Sequence, residues 1–177
     1  GACAWTVPGA WGLLLVMPNR DEISGELLPG GCHGSARALA AQSRSIFGDH
    51  QDVRATRQTG CAMIATSSVQ EVMDLVGVAH IVALKSRVPF LHFFDGFRTS
   101  HEIQKIALMD EAALTAMLDR DALKAFRQPA PNPDPPLTPG TAPNPDIYFP
   151  PRAAAKPFYH PLPDLAAAPQ PALSKHP

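Results

Sequence analysis

Proline divides this chain. Of its 20 prolines, only Pro8, Pro18, Pro29 and Pro89 precede position 128, and sixteen fall from 129 onward. Proline removes a backbone donor and fixes φ, so neither a helix interior nor a central strand runs through such a segment. The C-terminal part therefore reads as extended coil, with AAAPQPALSKHP (166–177) its least ordered piece. Within it, GTAPNPDIYF (140–149) ends on Ile147, Tyr148 and Phe149, which would gain by docking on a surface.

Ahead of position 128 the pattern is that of an α/β protein. GCAMIATSS (60–68) has the length of a buried strand. SVQEVMDLVGVAHIVALKS (68–86) opens on Ser68 three residues before Glu71, the spacing of a capping box, and its apolar positions recur at helical intervals on a broad face. VPFLHFF (88–94) is a second strand. Strand, helix, strand makes a βαβ unit, with parallel strands and a right-handed crossover. SARALAAQSRSIFGDH (35–50) is alanine-rich and predicts a helix stopped near Gly48. Residues 100–126 predict further helical segments, and WGLLLVM (11–17) fits either a helix or a buried strand.

The 177 residues suffice for one ordinary domain. A net charge of −1 and a pI near 6.7 argue against nucleic acid or an anionic membrane as partner. The run 11–17 is far too short to cross a bilayer and lacks the basic flank of a secretory signal. Cys3, Cys32 and Cys61 form no CxxC pair and no zinc spacing. An odd count without a secretory segment predicts reduced thiols in a cytoplasmic setting.

A parallel sheet gathers its chemistry at the carboxyl ends of its strands. Thr66, Ser67 and Ser68 at a helix start could hold an anion through backbone N–H groups, but simple capping is the preferred reading. DGFRTSHE (95–102) offers Asp95, Arg98, Thr99, Ser100, His101 and Glu102, and reads equally as a site or as a turn entering a helix capped by Ser100. His50 sits among carboxylates in FGDHQD (47–52), with His92 and His101 downstream, but nothing in the spacing requires a metal. Arg37, in HGSARAL, stands where a short stretch gives way to the predicted helix. Arginine is the residue type that fixes a planar carboxylate through two parallel hydrogen bonds, although most arginines so placed are solvated or pair locally.

Several long strings then carry a family. ISGELLP, SARALA, SIFGDHQDV, RQTG, SSVQEVMDL, VPFLHFFDGFRTSHEIQKI, AFR, GTA and NPDIYF, between about positions 12 and 159, resemble the N-terminal domain of pyruvate:ferredoxin (flavodoxin) oxidoreductase. The resemblance implies a partial three-layer, parallel-sheet α/β domain of the thiamine diphosphate-binding (pyrimidine) type. It divides the chain into residues 1–128 as the domain body, 129–160 as an ordered extended segment packed on it, and 161–177 as a disordered proline-rich tail. It also implies a homodimeric cytoplasmic parent enzyme that carries thiamine diphosphate with magnesium and [4Fe-4S] clusters. That enzyme oxidatively decarboxylates pyruvate with coenzyme A to acetyl-CoA and CO2, and its electrons pass to ferredoxin or flavodoxin. Arg37 matches the family's arginine for the pyruvate carboxylate. No role follows for Arg98 or His101 beyond shaping the site.

The sequence also departs from the family. The thiamine-activating glutamate, the substrate-contacting threonine and the cluster cysteines of the family have no counterpart in it, so the chain alone is expected to bind no cofactor tightly and to be inactive. GGCHG (30–34) replaces bulky apolar residues and should weaken a buried strand. Arg44 stands where a small apolar residue is usual, and Ala107 where glutamate is usual. Two alternatives follow: a non-catalytic interaction module docking through its proline-rich tail, and a fragment of a related oxidoreductase for another 2-oxoacid.

Overall fold

The glycine-rich stretch at 30–36 lies in the middle of a sheet. The computed structural model describes residues 3–7, 9–43, 45, 47–136, 140 and 142–173. Strands β1 (Cys3–Val7), β2 (Gly30–Ala36), β3 (Ala62–Thr66) and β4 (Phe90–Asp95) form a four-stranded sheet in the order β1-β2-β4-β3. Every neighbouring pair is parallel. The sequence-based α/β reading, with β3 and β4 joined through a helix, agrees with this architecture.

Helices cover both faces. On one side lie α1 (Trp11–Leu15), α2 (Met17–Gly25) and α3 (Gln51–Ala55), the last continued by a 3-10 turn at Thr56–Thr59. The ambiguous apolar run at 11–17 is thus helical. Leu13 and Val53 pack there with Cys32, Ala36, Leu91 and Phe93. On the other side lies α4 (Val69–Ser86), whose Val78, Ala79, Ile81, Val82 and Ala83 pack with Phe90. Successive residues of β4 therefore serve opposite cores, as strand alternation requires, and a central strand buried on both faces reads as an unbroken apolar run.

Ser68 caps α4 as its spacing predicts, while the return bond of Glu71 falls one residue earlier, on Ser67. Ser68 Oγ accepts from the Glu71 amide at 3.2 Å, and the Glu71 carboxylate accepts from the Ser67 amide at 2.7 Å and hydroxyl at 2.8 Å. The Ser67 amide, with the Ser67 hydroxyl, holds the Glu71 carboxyl below the usual carboxylate range. The glutamate occupies the serine donors, so capping is what this end of the helix does.

Three expectations change. The described residues of 35–50 form no helix: Ser35 and Ala36 belong to β2, and the amides of Arg37 and Leu39 are taken by side chains of α3. Pairing of Ser35 and Ala36 with β4 prevails over alanine propensity. Residues 102–110 are also irregular, because Gln70 binds both the N–H and the C=O of Ala107, at 2.8 and 3.1 Å. Helices α5 (Arg98–His101), α6 (Glu111–Ala116) and α7 (Arg120–Arg127) flank that segment, the last two capped by Asp110 and Asp119.

The third change is the tail. Residues 149–173 form α8 (Phe149–Ala154), α9 (Lys156–Tyr159), α10 (Leu162–Ala167) and α11 (Gln170–Leu173) where an extended segment and then a disordered tail were expected. The first three of these helices have proline in the first turn, where its missing N–H is an orphan anyway. Leu162 and Leu165 pack on the α4 core. Phe149 is 77% exposed and does not dock. Tyr159 docks instead, donating to Gly60 O at 3.1 Å and meeting Ser24 Oγ at 3.1 Å.

A chain of histidines crosses the α4 face. His33 of β2 and His92 of β4 are register partners, so their rings leave the same side of the sheet. His33 Nδ1 is 3.0 Å from His92 Nδ1, and His33 Nε2 is 2.9 Å from Nε2 of His80 on α4. His92 Nε2 is 3.2 Å from Thr66 Oγ1, whose hydroxyl donates to Phe93 O at 3.2 Å. Three neutral rings satisfy every contact if protons run from His80 through His33 and His92 to Thr66. Burial, and then the charge that His33 and His80 would carry, pushes His92 down to about 4, and burial lowers His33 and His80 as well.

The sign of the pH effect follows. The unfolded chain takes up protons near pH 6.5 that the folded chain refuses until about pH 4, so the stability is full above 6.5 and is lost as pH falls through that window. We expect the free energy of urea unfolding to drop by roughly 2 kcal/mol between pH 7 and pH 4.5 from His92 alone. An unchanged urea midpoint across that range contradicts the neutral chain.

Candidate functional site

Arg37 leaves the sheet immediately after Ala36, the last residue of β2, whose register partner is Asp95 at the end of β4. The two central strands thus deliver it to the carboxyl edge, where parallel sheets bind ligands. Its half-buried stem runs between two glycines. A Cβ on Gly9 would stand 2.4 Å from Arg37 Cγ and 2.1 Å from Ser35 O. One on Gly96 would stand 2.6 Å from Arg37 Nε and 2.2 Å from Ala36 O. Neither glycine has a positive φ; close approach of side chain and backbone is what requires them.

The main chain of Arg37 is fixed from α3. Asp52, fully buried, accepts from the Arg37 amide at 3.0 Å and the Ala10 amide at 2.6 Å through Oδ2, and from the Val53 amide at 2.7 Å through Oδ1. Gln51 Oε1 accepts from the Leu39 amide at 2.7 Å. The FGDHQD string thus supplies the support of the loop that carries Arg37. Its Gly48 packs against Asp95, where a Cβ would meet Oδ2 at 1.9 Å.

At the end of β4, Asp95 Oδ1 accepts from the amides of Phe97 and Arg98 at 2.9 and 2.5 Å. Burial works to raise the Asp95 pKa, but these two amides together with the charges of Arg98 and His50 outweigh it and hold the carboxyl below its ordinary value. Asp95, and not Ser100, therefore organises the turn into α5. Ser100 Oγ instead lies 2.9 Å from His101 Nδ1, and both Arg98 and His101 are exposed. The sequence-proposed histidines do not converge: His50 rests edge-on against Phe93, His92 is in the core, and His101 is on α5. Among the described residues no group of His, Cys, Asp or Glu is arranged to hold a metal ion. Cys32 and Cys61 are free thiols, both pushed up by burial. The Cys3 side chain and Arg44 lie outside the described residues.

Sequence reasoning missed Asp52 and the histidine chain. In the sequence Asp52 is one of the carboxylates around His50, and only tertiary placement turns it onto the amides of Ala10 and Arg37. It also missed Arg20, which is 1% exposed with Nη2 on Cys32 Sγ at 2.5 Å, while its Nε and Nη1 have no partner among the described residues.

These features define a parallel-sheet α/β domain with Arg37 packed at the carboxyl edge of its two central strands. The chain belongs to the family described as "Pyruvate flavodoxin/ferredoxin oxidoreductase, thiamine diP-bdg", which matches residues 1–168. It is 56% identical over 165 residues to the pyruvate-flavodoxin oxidoreductase of Klebsiella pneumoniae, covering 93% of this chain and 14% of that protein. It is 56% identical over 142 residues to the pyruvate:ferredoxin oxidoreductase of Moorella thermoacetica, covering 80% of this chain and 12% of that protein. It is 44% identical over 175 residues to the pyruvate dehydrogenase [NADP(+)] of Cryptosporidium parvum, covering 99% of this chain and 9% of that protein. The chain thus spans about one seventh of the Klebsiella relative's length.

The family's cofactor can be tested against the residues present. A diphosphate bound through magnesium needs oxygen ligands for the cation, and among the described residues no cluster of three or more His, Cys, Asp or Glu side chains is placed to hold one. The glycine-lined space at the edge is filled by the Arg37 stem and Asp95. At the Arg37 edge the packing therefore leaves no glycine-lined cradle for a diphosphate.

A substitution at this edge has a defined outcome. Gly96→Ala forces a contact with backbone at Ala36 O, so it should destabilise the chain by about 1–3 kcal/mol. Thermal unfolding measures the loss, and an unshifted melting temperature would show that the Arg37 loop is not packed as described.

Proposed function

We propose that this chain serves as the part of a pyruvate:ferredoxin (flavodoxin) oxidoreductase that holds the carboxylate of pyruvate through Arg37. The observation that supports it is the setting of Arg37: at the carboxyl ends of two central parallel strands, its stem wedged between Gly9 and Gly96, its amide on a buried carboxylate. A guanidinium so held binds a planar carboxylate in one orientation and fixes the adjacent keto carbon. Thiamine diphosphate, when bound, supplies the electron sink for decarboxylation. The residues of this chain supply substrate placement.

In this reading the magnesium, the [4Fe-4S] clusters, the coenzyme A site and the docking of ferredoxin or flavodoxin belong to the complete cytoplasmic homodimer. No helix among the described residues is long and apolar enough to cross a membrane. All three relatives named above act on pyruvate by name, which favours pyruvate over another 2-oxoacid. The interaction-module alternative loses support from residue 149 onward, where prolines start helices instead of forming an extended ligand.

The test uses a chimera in which this chain replaces the matching 165 residues of the Klebsiella relative. Arg37→Ala should raise KM for pyruvate by roughly a hundredfold, the loss of a charge-assisted pair, with Arg37→Lys intermediate. The 177-residue chain alone, given pyruvate, coenzyme A, thiamine diphosphate and a viologen acceptor, should show no turnover. An unchanged KM in Arg37→Ala removes Arg37 from the substrate site.

A further inference from the structure

We infer that Asp52 is a positioning residue for Arg37, its buried carboxylate setting the direction in which the guanidinium meets substrate. The inference rests on the reading of Arg37 as the carboxylate ligand, and three observations carry it. Asp52 Oδ2 joins the amides of Arg37 and Ala10, residues far apart in sequence, and Ala10 adjoins Gly9, which lies against the Arg37 stem. The bond is returned, since the Asp52 amide lies 3.4 Å from the Arg37 carbonyl, so both main-chain groups of Arg37 are tied to one residue.

The third observation is the backbone of Ala10. Its φ of 56° and ψ of −91° lie in a region that a residue with a Cβ rarely adopts. Such a conformation persists only where its surroundings impose it, and such residues gather at functional sites. The 2.6 Å hydrogen bond from its amide to Asp52 is the restraint at hand. Ala10 follows Gly9, whose missing Cβ makes room for Arg37 Cγ. Releasing Ala10 therefore moves a wall of the arginine's slot, and releasing the Arg37 amide moves its root. A carboxylate accepts at both oxygens, as three amide donors require; a carboxamide offers one accepting oxygen and turns a donor toward the third amide.

The experiment is a double-mutant cycle in the same chimera, with circular dichroism confirming that each variant is folded at the assay temperature. Asp52→Asn should raise KM for pyruvate by roughly tenfold while kcat stays within about twofold and KM for coenzyme A is unchanged, the split expected when ligand placement alone is lost. Added to Arg37→Ala, it should have no further effect on KM, because the residue it positions is gone. If Asp52→Asn does not fold, Asp52→Glu carries the test: it keeps the charge but moves the oxygens outward, and should raise KM in the same way.

An unchanged KM for pyruvate in both Asp52 variants overturns the inference, as does a fall in kcat alone. Additive effects of Asp52→Asn and Arg37→Ala overturn it too, since they mark general damage. If Arg37→Ala raises KM and the Asp52 variants do not, the positioning role fails and the substrate site stands. If Arg37→Ala itself leaves KM unchanged, the substrate reading fails and this inference with it.

Discussion

The two-sided parallel pairing of β2 is the constraint on which the rest of this structure depends. Gly30, Gly31, Cys32, His33 and Gly34 pair with β1 on one edge, and Gly31 onward with β4 on the other. A strand interior this rich in glycine is weak by propensity and packs little side-chain area. Here the missing side chains are replaced from outside the strand. The His80 ring stands where a Cβ of Gly31 would fall, at 2.4 Å, so that position accepts no other residue without a shift. Arg20 lies against Cys32 on the opposite face. With its backbone bonded on both edges, β2 runs on to Ala36 and puts Arg37 at the sheet edge, level with the end of β4.

The two faces of the sheet solve burial differently. One is an apolar core of aliphatic and aromatic groups from α1, α3, β2 and β4. The other combines the apolar side of α4 with a line of hydrogen-bonded imidazoles ending on Thr66. Polar groups in a core are tolerated when each donor finds an acceptor, and a consistently directed chain of neutral rings meets that condition. Arg20 is the counter-example: a buried guanidinium using one of its three nitrogens. The same economy governs the sheet edge. Asp52 serves three amides, Asp95 serves two, and three glycines leave the space through which Arg37 and Asp95 are packed.

The tail shows where composition misleads. Proline density is a sound argument against strands and long helices, and the described residues of the tail contain neither. It is not an argument against one-turn helices that begin at proline, spaced closely enough for Leu162 and Leu165 to reach α4. Likewise, alanine content favoured a helix at 35–50, but hydrogen bonds from Asp52 and Gln51, with strand pairing before them, gave those amides better-placed partners.

What the sequence by itself determined is local. The Ser68 cap, the periodic face of α4, the apolar runs of β3 and β4 and the long family strings are written in neighbouring residues, where spacing alone decides the outcome. The placement of Arg37 was legible only in part: the sequence sets it at the start of a helix, and it stands instead just past the end of a strand. Only the tertiary structure decided the register that sets His33 beside His92, the docking of Tyr159 on Gly60 and Ser24, and the meeting of Ala10, Arg37 and Asp52. Those contacts join residues tens of positions apart. Their partners are chosen by strand pairing and by which side chain can satisfy a buried amide, and one-dimensional spacing encodes neither.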